Sequence, residues 1–399
     1  MNTLKNIIHP FLRLWIKSTS FLFFEKANLK GLENIKEDGP VILACNHPNS
    51  FLDPLAVTTY YKRPIYYIAR GDVFVSPFVS ALLRFLNIVP IYRREEGVEN
   101  LSKNSGTFTF CIDVLKENGT ILLFSEGISE NEWYLRPIRK GTARLVYDAW
   151  NDPIIGEKLR VIPVAIHYSS WLNIKSRLFL SFKKPITKGS IPSEGEQGPF
   201  LKKFNELLTK ELLEELIVID KDLDTATQNI ITSFLLKNIE NGHSQSRAAL
   251  EKHKTMHKEE FIKLAHYLKQ NKIRYYSKAT PNIFSFLIGL VIYSLGYVLN
   301  LIPYSICKAI ANSTTKKNEF YDSVLFCTLL FLYPLYLIAV ALTMILIFHS
   351  YWSMGVLVIL ILTAKWAEAA KRNVYSFLQR KKIEAIVPML EQLFGKDSG

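Results

Sequence analysis

The sequence predicts an α/β fold, with a central mixed sheet flanked by helices and followed by a C-terminal helical and transmembrane region. Between residues 27 and 190, short apolar runs rich in β-branched and aromatic residues alternate with helical stretches, as they do in α/β sheets. Long uncharged segments follow after residue 282. Hydrophobic residues make up 49% of the chain and charged residues 21%, a more apolar balance than that of an ordinary soluble enzyme.

The predicted sheet lies in the first half of the chain. Its strands are expected at VILAC (41–45), PIYYIA (64–69), VPIY (89–92), TILLFS (120–125), VIPVAIHY (161–168) and RLFLSF (177–182). Several of these runs end directly in polar residues, and ligands of such sheets bind outside the strand ends. A loop rich in Gly, Ser and Pro at 186–198 ends this region, so we place an α/β domain at 27–198.

The flanking regions are predicted to be helical. Residues 1–26 mix Leu, Ile, Phe and Trp with Lys and Arg, which is typical of an amphipathic helix lying in a membrane interface; packing on the core is the alternative. Residues 199–280 carry apolar positions at helical spacing among many charges and are expected to form a connector. Residues 281–366 hold the membrane segments, and 367–399 a basic amphipathic helix suited to an anionic leaflet.

The membrane region contains three apolar segments: A (283–302), B (324–348) and C (351–364). Segments A and B carry no formal charge and reach the roughly 20 residues that cross a bilayer. The loop between B and C lacks Lys and Arg, so the positive-inside rule predicts a B–C hairpin with Trp352 at the far interface. Segment A either spans the bilayer or lies partly in the interface, and the basic loop after it favours the interface.

Charge and composition narrow the range of partners. The net charge of +13 admits nucleic acid, an anionic membrane or a phosphorylated substrate. Because the cations are spread along a chain with long uncharged runs, we expect no nucleic-acid partner. The four cysteines lie far apart with no CxxC spacing, which supports neither a disulfide framework nor a zinc site. His253 and His257 have the spacing of a metal pair, but no HExxH signature surrounds them, so a solvated helix face without metal is predicted.

The stretch ILACNHPNSFLDP (42–54) carries the chemistry. It places His47 on a polar turn after the first strong strand, six positions before Asp53. An imidazole held by a carboxylate can take a proton from a hydroxyl near neutral pH. No GxSxG nucleophile motif accompanies the pair.

Further polar clusters follow the later strands. They are Arg93 and Arg94 after VPIY, Glu126 and Gly127 after TILLFS, and then Arg136, Arg139 and Lys140. Clustered guanidinium groups favour a phosphate ligand, and a glycine lets a substrate approach the backbone closely. For Arg94, a surface ion pair with Glu95 or Glu96 explains the residue equally well.

These motifs together resemble the glycerolipid acyltransferase family. The four motifs occur in the family's order as NHPNSFLD (46–53), IVPIYRR (88–94), FSEGISE (124–130) followed by KGTARL (140–145), and VIPVAIHY (161–168). The family includes glycerol-3-phosphate and 1-acylglycerol-3-phosphate acyltransferases, and the form EGIS looks closest to the glycerol-3-phosphate/dihydroxyacetone-phosphate branch. The resemblance covers roughly residues 27 to 190.

The resemblance implies acyl transfer from acyl-CoA or acyl-ACP to a hydroxyl of a glycerol phosphate or lysophospholipid. His47 would be the general base and Asp53 its orienting partner, with help worth about 10²–10⁴-fold in rate. Arg93 and Glu126 would hold the acceptor, and Gly127 would help to position it. No cofactor is expected beyond the acyl donor. The partner would be a phospholipid membrane, most simply a bacterial inner membrane with the catalytic domain facing the cytoplasm.

The sequence departs from the common family pattern at three places. Five residues separate His47 from Asp53 where four are usual, Ser125 stands where proline is usual, and Ile128-Ser129 replace a Thr-Arg pair. We expect the phosphate to be bound by Arg93 together with Arg136, Arg139 or Lys140. Two other functions stay open: a catalytically inactive lipid-binding or scaffold protein of the same fold, and a lysophospholipid hydrolase. The intact pair of His47 and Asp53 argues against the scaffold.

Overall fold

A mixed seven-stranded sheet forms the centre of the fold. The computed structural model describes residues 2–35, 38–92, 104–172, 174–191, 196–218, 282–316, 318–349 and 354–394, with isolated residues between 228 and 273. The strands in these ranges are β1 (Ala27–Lys30), β2 (Val41–Cys45), β3 (Ile65–Arg70), β4 (Ile88–Ile91), β5 (Thr120–Phe124), β6 (Arg160–Tyr168) and β7 (Leu178–Phe182). Their order is β1-β7-β6-β2-β5-β3-β4, and only the β6–β7 pair is antiparallel within this described sheet.

The predicted mixed sheet is confirmed. Each of the six predicted strands agrees with one of β2 to β7 to within a residue at either end. Strand β1 was not predicted, because it has only four residues and its pattern ANLK has two half-buried and two exposed positions. Strand β2 lies between β5 and β6, and all five of its residues are buried, which is why VILAC reads as a continuous apolar run.

Helices cover both faces of the sheet. The described helices are α1 (Asn2–Phe23), α2 (Leu52–Tyr60), α3 (Pro77–Phe85), α4 (Asn104–Lys116), α5 (Lys140–Asn151), α6 (Gln197–Leu213), α7 (Ile283–Thr314), α8 (Asn318–Phe348), α9 (Gly355–Leu378) and α10 (Arg380–Phe394). Ile42 belongs to the apolar cluster formed with α4, α5 and α6. Leu43 belongs to the opposite cluster, which includes side chains of α1, α2 and α8. The C-terminal helices therefore pack on the face of the sheet that also carries α1 and α2.

Two of the described helices, α7 and α8, are long and apolar enough to cross a membrane, with 32 and 31 residues. Only 11% of the most apolar window of each is buried, so they do not resemble core helices of a soluble protein. Their depth in a bilayer, including that of segment A, stays a prediction. The turn between segments B and C, with Trp352, lies outside the described residues.

The membrane segments were expected to end near residue 366, but helix α9 continues past that position. It runs unbroken from Gly355 to Leu378, because no Gly or Pro interrupts it after its first residue. It packs closely on α7 at Gly296, where an added Cβ would lie 2.5 Å from the Cβ of Ala367. Asn300 of α7 and Tyr333 of α8 hydrogen-bond to each other at 3.0 Å, and both bond to the carbonyl of Leu360 in α9. This polar network joins the three helices.

Helix α1 is held at its C-terminal end by α9. The Lys365 ammonium donates to the carbonyls of Phe21, Phe24 and Glu25 at 2.6–3.0 Å, which satisfies carbonyls that a helix end leaves free. Elsewhere on α1, the side chains of Phe11 and Leu14 are exposed. One face of α1 thus packs on the protein, and its expected place in a membrane interface stays a prediction for the other face.

Candidate active site

The strand β2 delivers His47 to the edge of the sheet. Asn46 extends the strand, because its side-chain amide donates to the carbonyl of Ile166 at 2.9 Å and its oxygen accepts the Ile166 N–H at 2.7 Å. The His47 ring then stacks on Phe124 at the end of β5, with ring centroids 3.8 Å apart and planes 12° from parallel. Two neighbouring strands thus set the position of the imidazole.

His47, Asp53 and Tyr168 form a hydrogen-bonded chain. His47 Nδ1 lies 2.8 Å from Oδ2 of Asp53, and the Tyr168 hydroxyl donates to Oδ1 of Asp53 at 2.8 Å. The Asn49 N–H also donates to Oδ2 at 2.8 Å, so the fully buried carboxylate has three donors. Burial, and then the neighbouring Asp53 carboxylate, raise the pKa of Tyr168, which keeps the hydroxyl protonated as a donor.

This arrangement leaves His47 able to act as the predicted general base. An imidazole whose Nδ1–H is donated to a carboxylate carries its free lone pair on Nε2. The His47 side chain is 17% exposed, whereas Asp53 is inaccessible. Nε2 is therefore the ring atom available to a substrate hydroxyl.

The turn between His47 and Asp53 accommodates its additional residue through Ser50. Ser50 has a φ of 39°, in the left-handed region, and its N–H donates to the Ser129 hydroxyl at 2.6 Å. The Asn131 side chain donates to the carbonyl of Pro48 at 3.0 Å. Ser129, at the position where the family usually has arginine, thus supports the turn at 47–53, which we name the catalytic turn for its predicted role.

The backbone hydrogen bonds of Ser125 explain why proline does not occupy this position. Its N–H donates to the carbonyl of Cys45 at 2.8 Å and continues the β2–β5 ladder, which proline lacks the hydrogen to do. Its carbonyl accepts the Arg139 N–H at 2.8 Å. Ser125 therefore connects the end of β2 with the segment that begins α5.

Glu126 faces the protein interior. Its Oε1 accepts the His47 N–H at 2.6 Å and its Oε2 accepts the Arg136 N–H at 2.9 Å. Burial raises the pKa of Glu126, and the neighbouring Arg136 cation opposes that rise. The structure places this carboxylate as a support for the backbone of His47, and contact with the acceptor stays a prediction.

Arg136 is engaged with several carboxylates. It is 8% exposed, and its guanidinium lies 3.1–3.2 Å from carboxylate oxygens of Glu126, Glu130 and Glu132. A substrate phosphate would have to compete with these groups. The geometry therefore does not favour Arg136 as the phosphate ligand.

A cavity of about 2640 Å³ opens beside His47. Its polar wall includes Gly127, Arg139 and Arg144. Gly127 has a φ of 74°, a conformation that favours glycine, and an added Cβ would lie 3.2 Å from Cγ of Arg139. The apolar wall extends between α1 and α3 and includes Leu12, Ile16, Val79 and Leu83.

Among the other expected phosphate ligands, Lys140 is described and does not line the cavity beside His47. Lys140 lines a separate groove between the start of α5 and α6. Arg93 and Arg94 lie outside the described residues, as do His253 and His257. Within the described part of the chain, no cluster of three or more His, Cys, Asp or Glu side chains is placed to hold a metal ion.

Sequence reasoning missed the roles of Tyr168, Ser129 and Arg144. Tyr168 ends the fourth motif, and Ser129 and Arg144 lie in the third motif and in KGTARL. Each of the three residues thus lies in a stretch that the motif comparison had already singled out. Their contacts with the His47 turn or the cavity depend on strand pairing, which the sequence does not display.

Comparison with known proteins supports the motif assignment. The family model described as Acyltransferase matches residues 26–167. The chloroplastic 1-acyl-sn-glycerol-3-phosphate acyltransferase LPAT1 of Arabidopsis thaliana is 27% identical over 136 residues, 33% of this chain and 35% of that protein. The 1-acyl-sn-glycerol-3-phosphate acyltransferase of Borreliella burgdorferi is 24% identical over 170 residues, 43% of this chain and 62% of that protein.

A solved structure is also similar. The crystal structure of the 1-acyl-sn-glycerophosphate acyltransferase PlsC of Thermotoga maritima matches with a TM-score of 0.39 and 20% identity, over 54% of this chain and 82% of that one. The chain spans about a third of the length of the Arabidopsis relative. The expected family resemblance is confirmed over residues 26–167, which match the family model described as Acyltransferase.

Proposed function

We propose that this protein is an O-acyltransferase that moves a fatty acyl group from a coenzyme A or acyl carrier protein thioester to a hydroxyl of 1-acylglycerol 3-phosphate or a related glycerol phosphate. The observation that carries the proposal is the chain from Tyr168 through Asp53 to His47, which leaves Nε2 free beside the cavity. The names of the matched relatives favour a lysophosphatidate acceptor.

In the proposed reaction, His47 Nε2 takes the proton of the acceptor hydroxyl while that oxygen attacks the thioester carbonyl. The C–S bond then breaks as the carbonyl re-forms, and the leaving thiolate takes the proton from the imidazolium. Asp53 orients the ring and stabilises its charged form. His47 is regenerated, and no covalent bond to the protein forms.

The cavity suits both parts of the proposed substrates. Arg139 and Arg144 line the same cavity as His47, where a guanidinium could bind the acceptor phosphate. The apolar side chains between α1 and α3 would accommodate an acyl chain. The long apolar helices α7 and α8 support a membrane location, and we propose that the catalytic domain faces the cytoplasm.

The test is acyl transfer by purified protein from radiolabelled acyl-CoA and acyl-ACP to glycerol 3-phosphate, dihydroxyacetone phosphate, lysophosphatidate and neutral lysolipids. We expect labelled product from a phosphorylated acceptor and a loss of at least about 100-fold in His47→Ala. His9→Ala is the matched control, because His9 lines the same cavity but bonds to the Phe85 carbonyl.

Two outcomes would contradict the proposal. Release of the fatty acid of a lysolipid, without acylated acceptor, would identify a lysophospholipid hydrolase. Folded wild-type protein that forms no product with any acceptor would favour a lipid-binding or scaffold role.

A further inference from the structure

The start of α8 contacts the catalytic turn, although the two lie more than 270 positions apart in sequence. The Asn49 side-chain amide donates to Oδ2 of Asp322 at 3.1 Å. The Ser323 hydroxyl donates to the Asn49 carbonyl at 3.1 Å and accepts the Leu52 N–H at 3.0 Å. Both residues immediately precede the long apolar run of this helix.

These contacts are shielded from water. Asn49 is 1% exposed, Asp322 is 2% exposed and Ser323 is inaccessible. Buried hydrogen bonds of this kind are costly to break, because no water replaces the lost partner. The contacts therefore restrict the turn more strongly than surface contacts would.

The restricted residues are the ones that hold Asp53. The Asn49 N–H donates to the same Asp53 oxygen that faces His47 Nδ1, and Leu52 is the residue before Asp53. Oδ2 of Asp322 also accepts the Leu172 N–H at 3.1 Å, four residues after Tyr168. One carboxylate on α8 thus contacts both segments that surround Asp53.

The docking of α8 is reinforced by aromatic packing. Phe326, one turn after Asp322, is inaccessible and packs against Phe23 with ring centroids 5.2 Å apart. The ring centroids of Phe51, in the turn, and Phe320, in α8, lie 5.7 Å apart. The first turns of this apolar helix therefore have a defined position relative to the catalytic turn.

We propose that Asp322 and Ser323 are positioning residues of the active site, so that an apolar, membrane-compatible helix sets the geometry of the general base. This inference rests on the proposed acyl transfer. It makes the C-terminal helices a working part of the enzyme: they fix the productive His47–Asp53 arrangement as well as attaching the domain to lipid.

The test compares Asp322→Ala and Ser323→Ala with a control on the same helix. Tyr333→Phe removes a hydroxyl that bonds to Asn300 and Leu360, so it weakens α8 contacts away from the turn. We expect kcat to fall about tenfold in both alanine variants, with the acceptor KM within about twofold, because orientation and not binding is lost. Tyr333→Phe should keep kcat within about twofold.

Asp322→Asn tests whether a side-chain oxygen that accepts hydrogen bonds is sufficient at this position. An amide oxygen can accept the Asn49 and Leu172 hydrogens as the carboxylate does. We expect this variant to recover most of the kcat that Asp322→Ala loses. Equal kcat in the two alanine variants and the wild type would overturn the inference, as would an equal loss in Tyr333→Phe.

Amide hydrogen exchange of residues 49–53 measures how firmly the turn is held, and it needs no substrate. Ser323→Ala should accelerate exchange at Leu52, because it leaves that N–H only its bond to the Asn49 carbonyl. Tyr333→Phe should leave this exchange unchanged. Unchanged exchange in Ser323→Ala would overturn the docking role whatever the activity. If the wild type acylates no acceptor, the proposed function fails, while exchange still decides whether α8 holds the turn.

Discussion

Tyr168 donates its hydroxyl hydrogen to Asp53 over 2.8 Å from a strand 115 residues further along the chain. Tyr168→Phe leaves Asp53 with one fewer donor inside a dry site. We expect kcat to fall about tenfold, or about 1.4 kcal/mol, which lies within the cost of about 1–3 kcal/mol for an unmade buried hydrogen bond. Steady-state kinetics measures the effect.

Tyr61→Phe is the control for that substitution. Tyr61 is also buried, and its hydroxyl lies 3.0 Å from the Thr120 hydroxyl, a residue at the opposite end of β5 from Phe124. It should lose stability without losing kcat. Equal kcat values in the two Phe variants would show that the Tyr168 hydroxyl does not contribute to catalysis.

Arg139 and Lys140 are adjacent cations with different surroundings. Arg139 shares the cavity with His47, and Lys140 lines the groove beside α6. We expect Arg139→Ala to raise the KM of a phosphorylated acceptor by about tenfold, the effect of losing one charge-assisted hydrogen bond. Lys140→Ala should leave that KM unchanged. The same KM in both variants would assign the phosphate to another cation.

Ser129 supports the turn at the position where an arginine is usual in the family. Ser129→Arg should lower kcat rather than restore a phosphate ligand, because a guanidinium cannot accept the Ser50 N–H. Ser129→Ala also removes the hydroxyl that accepts the Ser50 N–H, and it should lower kcat by about tenfold. A Ser129→Arg protein with wild-type kcat and a lower acceptor KM would contradict this role.

Gly296 and Gly289 of α7 should respond oppositely to alanine. At Gly296 the added Cβ would lie 2.5 Å from Ala367 Cβ and 2.9 Å from the Thr363 carbonyl oxygen, whereas at Gly289 the nearest atom is 3.4 Å away. Gly296→Ala should cost about 1–3 kcal/mol through overpacking. Gly289→Ala should be neutral or gain up to about 1 kcal/mol from helix propensity. Thermal unfolding in detergent measures both, and equal midpoints would contradict the close approach of α7 and α9.

Lys175 should make stability depend on pH. Burial, and then the neighbouring Lys365 cation, lower the pKa of Lys175 to about 7, from about 10.4 in an unfolded chain. Between these values the unfolded chain binds more protons than the native protein, so the free energy of unfolding rises with pH. The rise approaches about 1.4 kcal/mol per pH unit.

Lys175→Met removes that titration. From pH 7.5 to 9, the wild type should gain about 2 kcal/mol of stability relative to this variant. Unfolding in denaturant at several pH values measures the difference. Parallel pH profiles for the two proteins would show that Lys175 keeps its proton in the fold.

The sequence by itself determined the strands and the order of the motifs. The continuous run VILAC and the polar turn after it encode β2 and the position of His47 through neighbouring residues alone, because burial on both faces and turn chemistry are local properties. The apolar length of segments A and B likewise predicts α7 and α8. The edge strand β1, with its short and partly polar pattern, carries too weak a local signal.

Only the tertiary structure decided which side chains meet. It turns Glu126 towards the backbone of His47, surrounds Arg136 with carboxylates, and brings Tyr168 and Asp322 to the catalytic turn. Strand order and helix docking control these contacts, and both depend on packing between residues far apart in the chain. Local patterns specify elements, whereas the pairing of distant elements specifies the site.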